Sequence, residues 1–480
     1  MTDENITRSA QKKQNTPKRI LITLKDISEQ GGGERVGVNL ANAFVRELGA
    51  NVRVVSFFRA HAKPFYALDE RVELFCLCEC GAKGKNPLRN LFHKSLFRLW
   101  LSYKTRKFAQ NADIVLANDG WFVPFCKVRS SAKSLYIRLW HLNAPKRPKK
   151  KLALFDALVV LSSKELPLWQ RYHSNVRVIP NFLPQIPAKS TDSSQKVVLS
   201  VGRMDNGDQK GFLRLLDIWK IVQEMINNPS SKDCATTASL QVSETNEAKQ
   251  TTSSLRASET SVAIHKNETT KTIDCHEFDK SNFRNDTKPC HTEQSEVSPN
   301  SNDGDISLSL NMTKIDSVAF SKSQYNKADL DALKEWKLII VGDGILKSEI
   351  EAKIKALNLQ DSVILKPFTK EIEKEYLSAS IYAMSSHFEG FPMVLIESIS
   401  YGLAPISFDI KTGPSDIIAD NQSGFLVKDN DLQGYADKLI TLMCDENLRA
   451  NFGTKAKALV SERFGKDAVL KLWEELFEKG

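Results

Sequence analysis

One pattern occurs twice in this chain and limits the folds open to it. Residues 19–24 (R-I-L-I-T-L) form an apolar run, followed by the loop S-E-Q-G-G-G-E-R. V-G-V-N-L-A-N-A-F-V-R-E-L comes next, with apolar residues at helical spacing, and N-V-R-V-V-S-F then reads as a second strand. Two short apolar strands joined by a glycine turn and a helix make a βαβ unit, whose strands lie parallel. A-D-I-V-L-A-N, S-L-Y-I-R-L-W, A-L-V-V-L-S and V-R-V-I-P-N continue the series, alternating with helical stretches. The same grammar restarts at K-V-V-L-S-V-G-R, runs into a helix expected from Phe212 to Ile226, and resumes at W-K-L-I-I-V-G-D-G. D-S-V-I-L-K-P-F, S-I-Y-A-M-S-S and L-A-P-I-S-F-D complete a second set. The expectation is α/β: two doubly wound, Rossmann-like domains, each a parallel sheet with helices on both faces. A last helix, expected over 467–479 and rich in Leu, Trp and Phe, should pack on one of the two domains.

Residues 228–330 interrupt the second set with a different kind of sequence. Ser, Thr, Asn, Asp and Lys dominate it and aromatics are few, so it lacks the apolar surface to offset the entropy of ordering. It is expected to be a disordered insert that leaves the fold intact. Residues 1–17 read as a disordered tail, with no apolar core for a secretory signal. Together with the scattered cysteines this favours a cytoplasmic, reduced protein. Cys76, Cys78 and Cys80 alternate along one strand face, and no His or Cys cluster completes a metal site.

The net charge of +9 divides unevenly: residues 1–180 carry +18 and residues 181–480 carry −9. The basic half should meet anions. Residues 90–108 mix Leu, Phe and Trp with Lys and Arg at helical spacing, and P-K-R-P-K-K-K at 145–151 adds a basic loop. Such surfaces suit peripheral contact with anionic membrane, on the inner face of the cytoplasmic membrane in a cytoplasmic protein. The alternative is a sheet-covering helix whose Lys and Arg stems snorkel. No nucleic-acid-binding module is recognisable.

Three features could hold an anion. Gly31–Gly33 lie between a strand and a helix, where free backbone N–H groups can cradle phosphate. Arg203 ends a strand and Lys210 precedes a helix, a fork and a point charge suited to a diphosphate. E-G-F-P-M-V-L-I-E spans 389–397. Gly390 breaks a helix and Pro392 fits only its first turn, so a loop, a helix from Pro392 and a stop at a left-handed Gly402 are expected. In an open parallel sheet, ligands bind beyond the carboxyl ends of the strands. Gly31–Gly33, His141, Arg203, Lys210 and Glu389 all fall there.

V-G-R-M-D-N-G-D-Q-K-G, V-I-P-N-F, I-I-V-G-D-G and E-G-F-P-M-V-L-I-E together resemble the GT-B retaining glycosyltransferases of family 4. The resemblance runs from about Lys18 to Gly480, excluding the insert. It implies an acceptor-binding domain over 18–180 and a nucleotide-sugar-binding domain over 181–480. Glu389 would contact the donor sugar, with backbone N–H groups of Gly390 and Phe391 around it, and Glu397 would hold the ribose hydroxyls. Arg203 and Lys210 would bind the diphosphate, Gly32 and Gly33 would approach phosphates or acceptor, and His141 would lie beside the sugar. The reaction implied moves a hexose or N-acetylhexosamine from a UDP-linked donor to a glycan or lipid-diphosphate-linked acceptor. Capsule or lipopolysaccharide assembly is the implied setting, and no metal or other cofactor is implied. A GT-B sugar-nucleotide epimerase is the alternative, but it would leave Glu389 and Glu397 with Arg203 and Lys210 unexplained. An NAD-binding Rossmann enzyme fits less well, because Val36 stands where the last glycine of G-x-G-x-x-G belongs.

Overall fold

The computed structural model describes residues 17–79, 87–125, 134–147, 149–227 and 331–479, with side chains from residue 96 in the helix that begins at Pro87. The expected insert at 228–330, the tail and Cys80 lie outside the described residues.

The first sheet contains β1 (Arg19–Asp26), β2 (Asn51–Phe58), β3 (Glu73–Cys78), β4 (Ile114–Ala117), β5 (Leu135–Trp140), β6 (Ala157–Val160) and β7 (Val176–Val178). Their order is β3-β2-β1-β4-β5-β6-β7 and every pairing is parallel. In β1 the side chains divide between two cores. Ile20, Ile22 and Leu24 join Phe44 of the helix Gly32–Arg46 on one face, while Leu21 joins Val55, Val115 and Leu101 on the other. Burial on both faces is why its central run, Ile20–Leu24, is apolar but for Thr23. Truncating Leu21 to Ala would cost about 2–5 kcal/mol.

The second sheet contains β8 (Val197–Val201), β9 (Lys337–Val341), β10 (Val363–Lys366), β11 (Ile381–Met384), β12 (Ala404–Asp409) and β13 (Phe425–Lys428), in the order β10-β9-β8-β11-β12-β13. It too is wholly parallel. β13 has no counterpart in the expected strand set. The helix after β8 runs Phe212–Asn227, and the helix after β11 runs Met393–Ser400. Pro392 caps the latter rather than opening it, and Gly402 takes the expected left-handed conformation at φ +83°. The last helix, Lys466–Lys479, returns to the first domain: Trp473 and Phe477 pack edge-on to Phe44, with centroids 5.8 and 5.4 Å away.

In each sheet the strand order reverses beside the first strand, at β1/β4 and at β8/β11. Loops leaving adjacent strands there diverge to opposite faces and open a crevice. The two crevices face each other. Asp416 accepts hydrogen bonds from Ser163 Oγ at 2.6 Å and Ser163 N at 3.1 Å, and Lys411 pairs with Glu165 at 2.6 Å. Lys164 Nζ donates to Asp409 Oδ1 at 2.6 Å. These contacts tie the ends of β6 and β12 together and fix the cleft between the sheets.

Candidate functional site

The cleft encloses about 620 Å³ and is lined from both domains. On the second domain, the loop after β8 carries Arg203 and Lys210. Asp208 accepts from the N–H groups of Phe212 and Leu213, at 2.8 and 2.9 Å, and so caps the helix that follows. Burial pushes the Asp208 carboxyl above its ordinary pKa, against those two bonds. The Lys210 stem lies across Gly202, where a Cβ would come within 2.8 Å of it. Glycine at the end of β8 therefore lets the lysine reach inward.

Lys210 Nζ lies 2.6 Å from Glu389 Oε1, and Ser386 Oγ donates to the same oxygen at 2.7 Å. Both charged side chains are largely buried. The loop that holds Glu389 is anchored from below by Arg214, whose guanidinium donates to the carbonyls of Ser385 and Ser386 and pairs with Asp429 at 2.8 Å. Gln209 holds it from the side, accepting from His387 N at 2.9 Å and donating to the Phe388 carbonyl at 3.2 Å.

Eight residues on, Glu397 sits inside the helix Met393–Ser400. Its Oε1 is 2.5 Å from Arg35 Nη2, and Tyr376 O–H reaches Oε2 at 3.4 Å. Burial raises the Glu397 pKa, and Arg35 opposes that shift. Arg35 belongs to the first domain, in the first turn of the helix whose cap is Gly31. Arg203 stands more openly at the cleft, paired with Asp205 at 3.0 Å.

Of the residues expected from sequence, Gly32, Arg203, Lys210, Glu389, Phe391 and Glu397 line this cleft together. Gly33, His141 and Gly390 are not among its lining residues. Asn118 Nδ2 donates to the Gly33 carbonyl at 2.8 Å, so its Oδ1 accepts from His141 Nε2, also at 2.8 Å. That bond places the imidazole proton on Nε2. Burial, with help from the Arg138 charge, lowers the His141 pKa to about 4, so the ring is neutral at pH 7. Gly390 packs directly on the His141 carbonyl, with no room for a Cβ. His141 therefore meets the Glu389 loop through backbone, and its ring lines a small separate void with Asn143, Ser162 and Thr412. The Phe391 ring is buried, 5.4 Å edge-on from Phe464, and the residue lines the cleft.

Arg35, Tyr66, Asn118 and Tyr376 are the residues that sequence reasoning missed. Arg35 carried a signal: a cation in the first turn of a helix opposes the macrodipole, so something must retain it there.

Residues 319–459 match the family described as Glycosyl transferases group 1. Over 141 residues, 29% of this chain, the sequence is 40% identical to the amylovoran biosynthesis glycosyltransferase AmsD of Erwinia amylovora, covering 39% of that protein. A second relative comes from Campylobacter jejuni: N-acetylgalactosamine-N,N'-diacetylbacillosaminyl-diphospho-undecaprenol 4-alpha-N-acetylgalactosaminyltransferase. It is 37% identical over 121 residues, 25% of this chain and 33% of its own length. The chain thus spans about two-fifths or less of the length of these two relatives. Among solved structures, a mutant of S. aureus TarM in complex with fondaparinux, alpha-GlcNAc-glycerol and UDP aligns with a TM-score of 0.58 and 14% identity, covering 96% of this chain and 99% of that one. The class that this fold defines is GT-B. Within it, the second domain carries a group 1 glycosyltransferase segment.

Proposed function

We propose that the chain is a metal-independent, retaining glycosyltransferase that moves a hexose or N-acetylhexosamine from a UDP-linked donor to a glycan or lipid-linked glycan. The observation that carries this reading is the Lys210–Glu389 pair at the point where strand order reverses, with Arg203 beside it and Glu397 one helix turn and more beyond. A nucleotide sugar is long and has a charged middle. Glu389 and Glu397 address its two hydroxyl-bearing ends, while Arg203 and Lys210 address the diphosphate between them. The UDP in the TarM structure and the diphosphate-linked acceptor in the name of the Campylobacter relative support donor and acceptor classes of this kind. In the reaction, the acceptor hydroxyl attacks the anomeric carbon on the face that the diphosphate leaves. The bond from that carbon to the phosphate oxygen breaks, and the departing oxygen takes the hydroxyl proton. Two cations stabilise the charge that develops on the diphosphate, the task a metal performs elsewhere.

The acceptor would be met at a membrane surface inside the cell. In the helix Pro87–Ala109, Leu96, Leu99, Trp100 and Tyr103 are exposed at i, i+3, i+4 and i+7, whereas Leu101 and Phe97 face the core. Lys104, Arg106 and Lys107 flank that stripe. An exposed apolar stripe with basic flanks suits insertion among anionic headgroups. Among the described residues, no helix is long and apolar enough to cross a membrane.

Release of nucleoside diphosphate across a panel of UDP- and GDP-sugars, with and without EDTA, tests the activity, and the anomeric configuration of the product tests retention. NAD stabilising the fold where no nucleoside diphosphate does would reject the reading. Wild-type protein that fails to float with anionic liposomes at low salt would reject the membrane contact.

A further inference from the structure

Three cations of the first domain gather at the carboxyl ends of β4 and β5, and among the described residues none of them is in an ion pair. Arg138, on β5, is 9% exposed, and its one hydrogen bond is a long one, 3.4 Å from Nη1 to the Ala117 carbonyl. The Trp140 ring has the Arg138 guanidinium 5.5 Å from its centroid on one side and Lys149 Nζ at 4.9 Å. Arg98, from the helix above, donates to the Gly120 carbonyl at 3.4 Å and lies 5.9 Å over Trp121, leaving a buried Nε with no partner. Asp119 is the nearest acid, and its oxygens are already engaged. The N–H groups of Trp121 and Phe122 donate to Oδ1 at 2.5 and 2.7 Å, and Thr23 O–H holds Oδ2. Burial lowers the pKa of Arg138 and of Lys149, and the charges of Arg138 and Arg98 lower Lys149 further.

The Asp119 charge opposes the effect of burial on Arg138 through space, while the nearby Arg98 charge adds to it. A buried guanidinium that no carboxylate hydrogen-bonds is costly, and an anion arriving beside it would complete it. Planar guanidinium forks beside a lysine match phosphate oxygens. Arg138 shares its strand face with Tyr136, on the side covered by the helix that carries Arg98.

We propose that Arg138, Arg98 and Lys149 form a binding site for a phosphate or diphosphate ester carried by the acceptor. Calling the ligand an acceptor rests on the glycosyltransferase reading; the anion site itself does not. The site is separate from Arg203 and Lys210, so the protein holds one diphosphate in each domain. The two charged groups then bracket the sugar being moved.

The test is calorimetric titration with inorganic pyrophosphate and with farnesyl diphosphate, in an Arg203→Ala/Lys210→Met background that removes both cations of the donor cleft. Arg98→Ala, Lys149→Ala and Arg138→Met should each weaken both ligands about ten- to a hundred-fold, the worth of a charged hydrogen bond. Arg138→Met should also raise the melting temperature, because it removes a buried charge that no carboxylate hydrogen-bonds. Absence of pyrophosphate and farnesyl diphosphate binding would overturn the proposal. So would an Arg138→Met protein that melts lower and binds both unchanged. Weakening seen only with anionic vesicles, and not with either soluble ligand, would assign the cluster to membrane headgroups and reject an acceptor site. Titration of the wild type with UDP separates the two readings: a chain that binds farnesyl diphosphate at this cluster but no nucleoside diphosphate loses the donor assignment and keeps the anion site.

Discussion

Arg35 Nη2 and Glu397 Oε1 meet at 2.5 Å across the cleft, one from each domain, although 362 positions separate them in the chain. The carboxylate is mostly buried, at 14% side-chain exposure, and the guanidinium is 37% exposed. Arg35→Ala therefore leaves Glu397 with only the distant Tyr376 hydroxyl. Because the arginine is partly solvated, the expected destabilisation is about 1–2 kcal/mol at neutral pH rather than the larger penalty of a fully buried pair. The sign of its pH dependence follows from Glu397, whose folded pKa lies above its ordinary value. Such a group supports the fold below the ordinary carboxylate range and withdraws that support as pH rises through the raised pKa. Loss of Arg35 raises that pKa further. Urea unfolding at pH 5 and pH 8 should show a deficit that widens at pH 8; equal deficits at both would show that Arg35 does not hold the Glu397 charge.

Lys210 and Glu389 are expected to fail differently from Arg35. On the proposed reaction, Lys210→Met removes a cation from the place where the leaving diphosphate would gather charge, at a loss of about 10²–10³ in kcat. It also strands a buried carboxylate that keeps only Ser386 Oγ. Adding Glu389→Gln should recover the lost stability but none of the activity, which separates the catalytic from the structural consequence. Single-turnover transfer and thermal melting on the same three proteins measure both. Wild-type turnover by Lys210→Met or by the double variant would remove these residues from the mechanism.

The sheets were legible because strands such as β4 and β6 are buried on both faces and so are apolar end to end. β13 was not: F-L-V-K is four residues between a glycine and a polar turn, too short to show a period. Within the site, sequence marked Lys210 and Glu389 separately, but their pairing spans 179 positions and arises only when the ends of β8 and β11 become neighbours. Asn118 and Tyr376 act through contacts from distant elements that no local pattern announces, whereas Arg35 showed only as a cation out of place in a helix's first turn, without its partner. Arg214 was hidden for another reason. It follows Lys210 inside an ordinary helical run, and only the fold shows it bonded to the carbonyls that set the Glu389 loop.

His141 has a pKa of about 4 in the folded protein, below its ordinary 6.5. A histidine depressed in this way stabilises the fold above the unfolded value and withdraws that contribution as pH falls from about 6.5 toward 4. His141→Gln should flatten the stability profile in that window. Its ring resonances in the wild type should show no protonation step near pH 6.5. Asn118→Asp puts a carboxylate on Nε2 and should return the step to neutral pH or above. A step near pH 6.5 in the wild type would contradict a buried, neutral imidazole.

Gly32 and Gly390 should separate ligand approach from domain contact. A Cβ at Gly390 overlaps the His141 carbonyl, which is backbone and cannot turn aside. Gly390→Ala must shift the Glu389 loop or the end of β5, at a cost of about 1–3 kcal/mol. A displacement of about 1 Å at a reacting centre is worth about 10² in rate. A Cβ at Gly32 meets nothing within 4 Å in the free protein. Gly32→Ala should therefore melt like the wild type, and its affinity for the nucleotide sugar should fall about ten-fold if the donor phosphates come close to the helix start. Melting curves and donor titrations on the two variants distinguish the roles. Unchanged donor affinity in Gly32→Ala would show that the first glycine turn stands clear of the phosphates, leaving them to Arg203 and Lys210 alone.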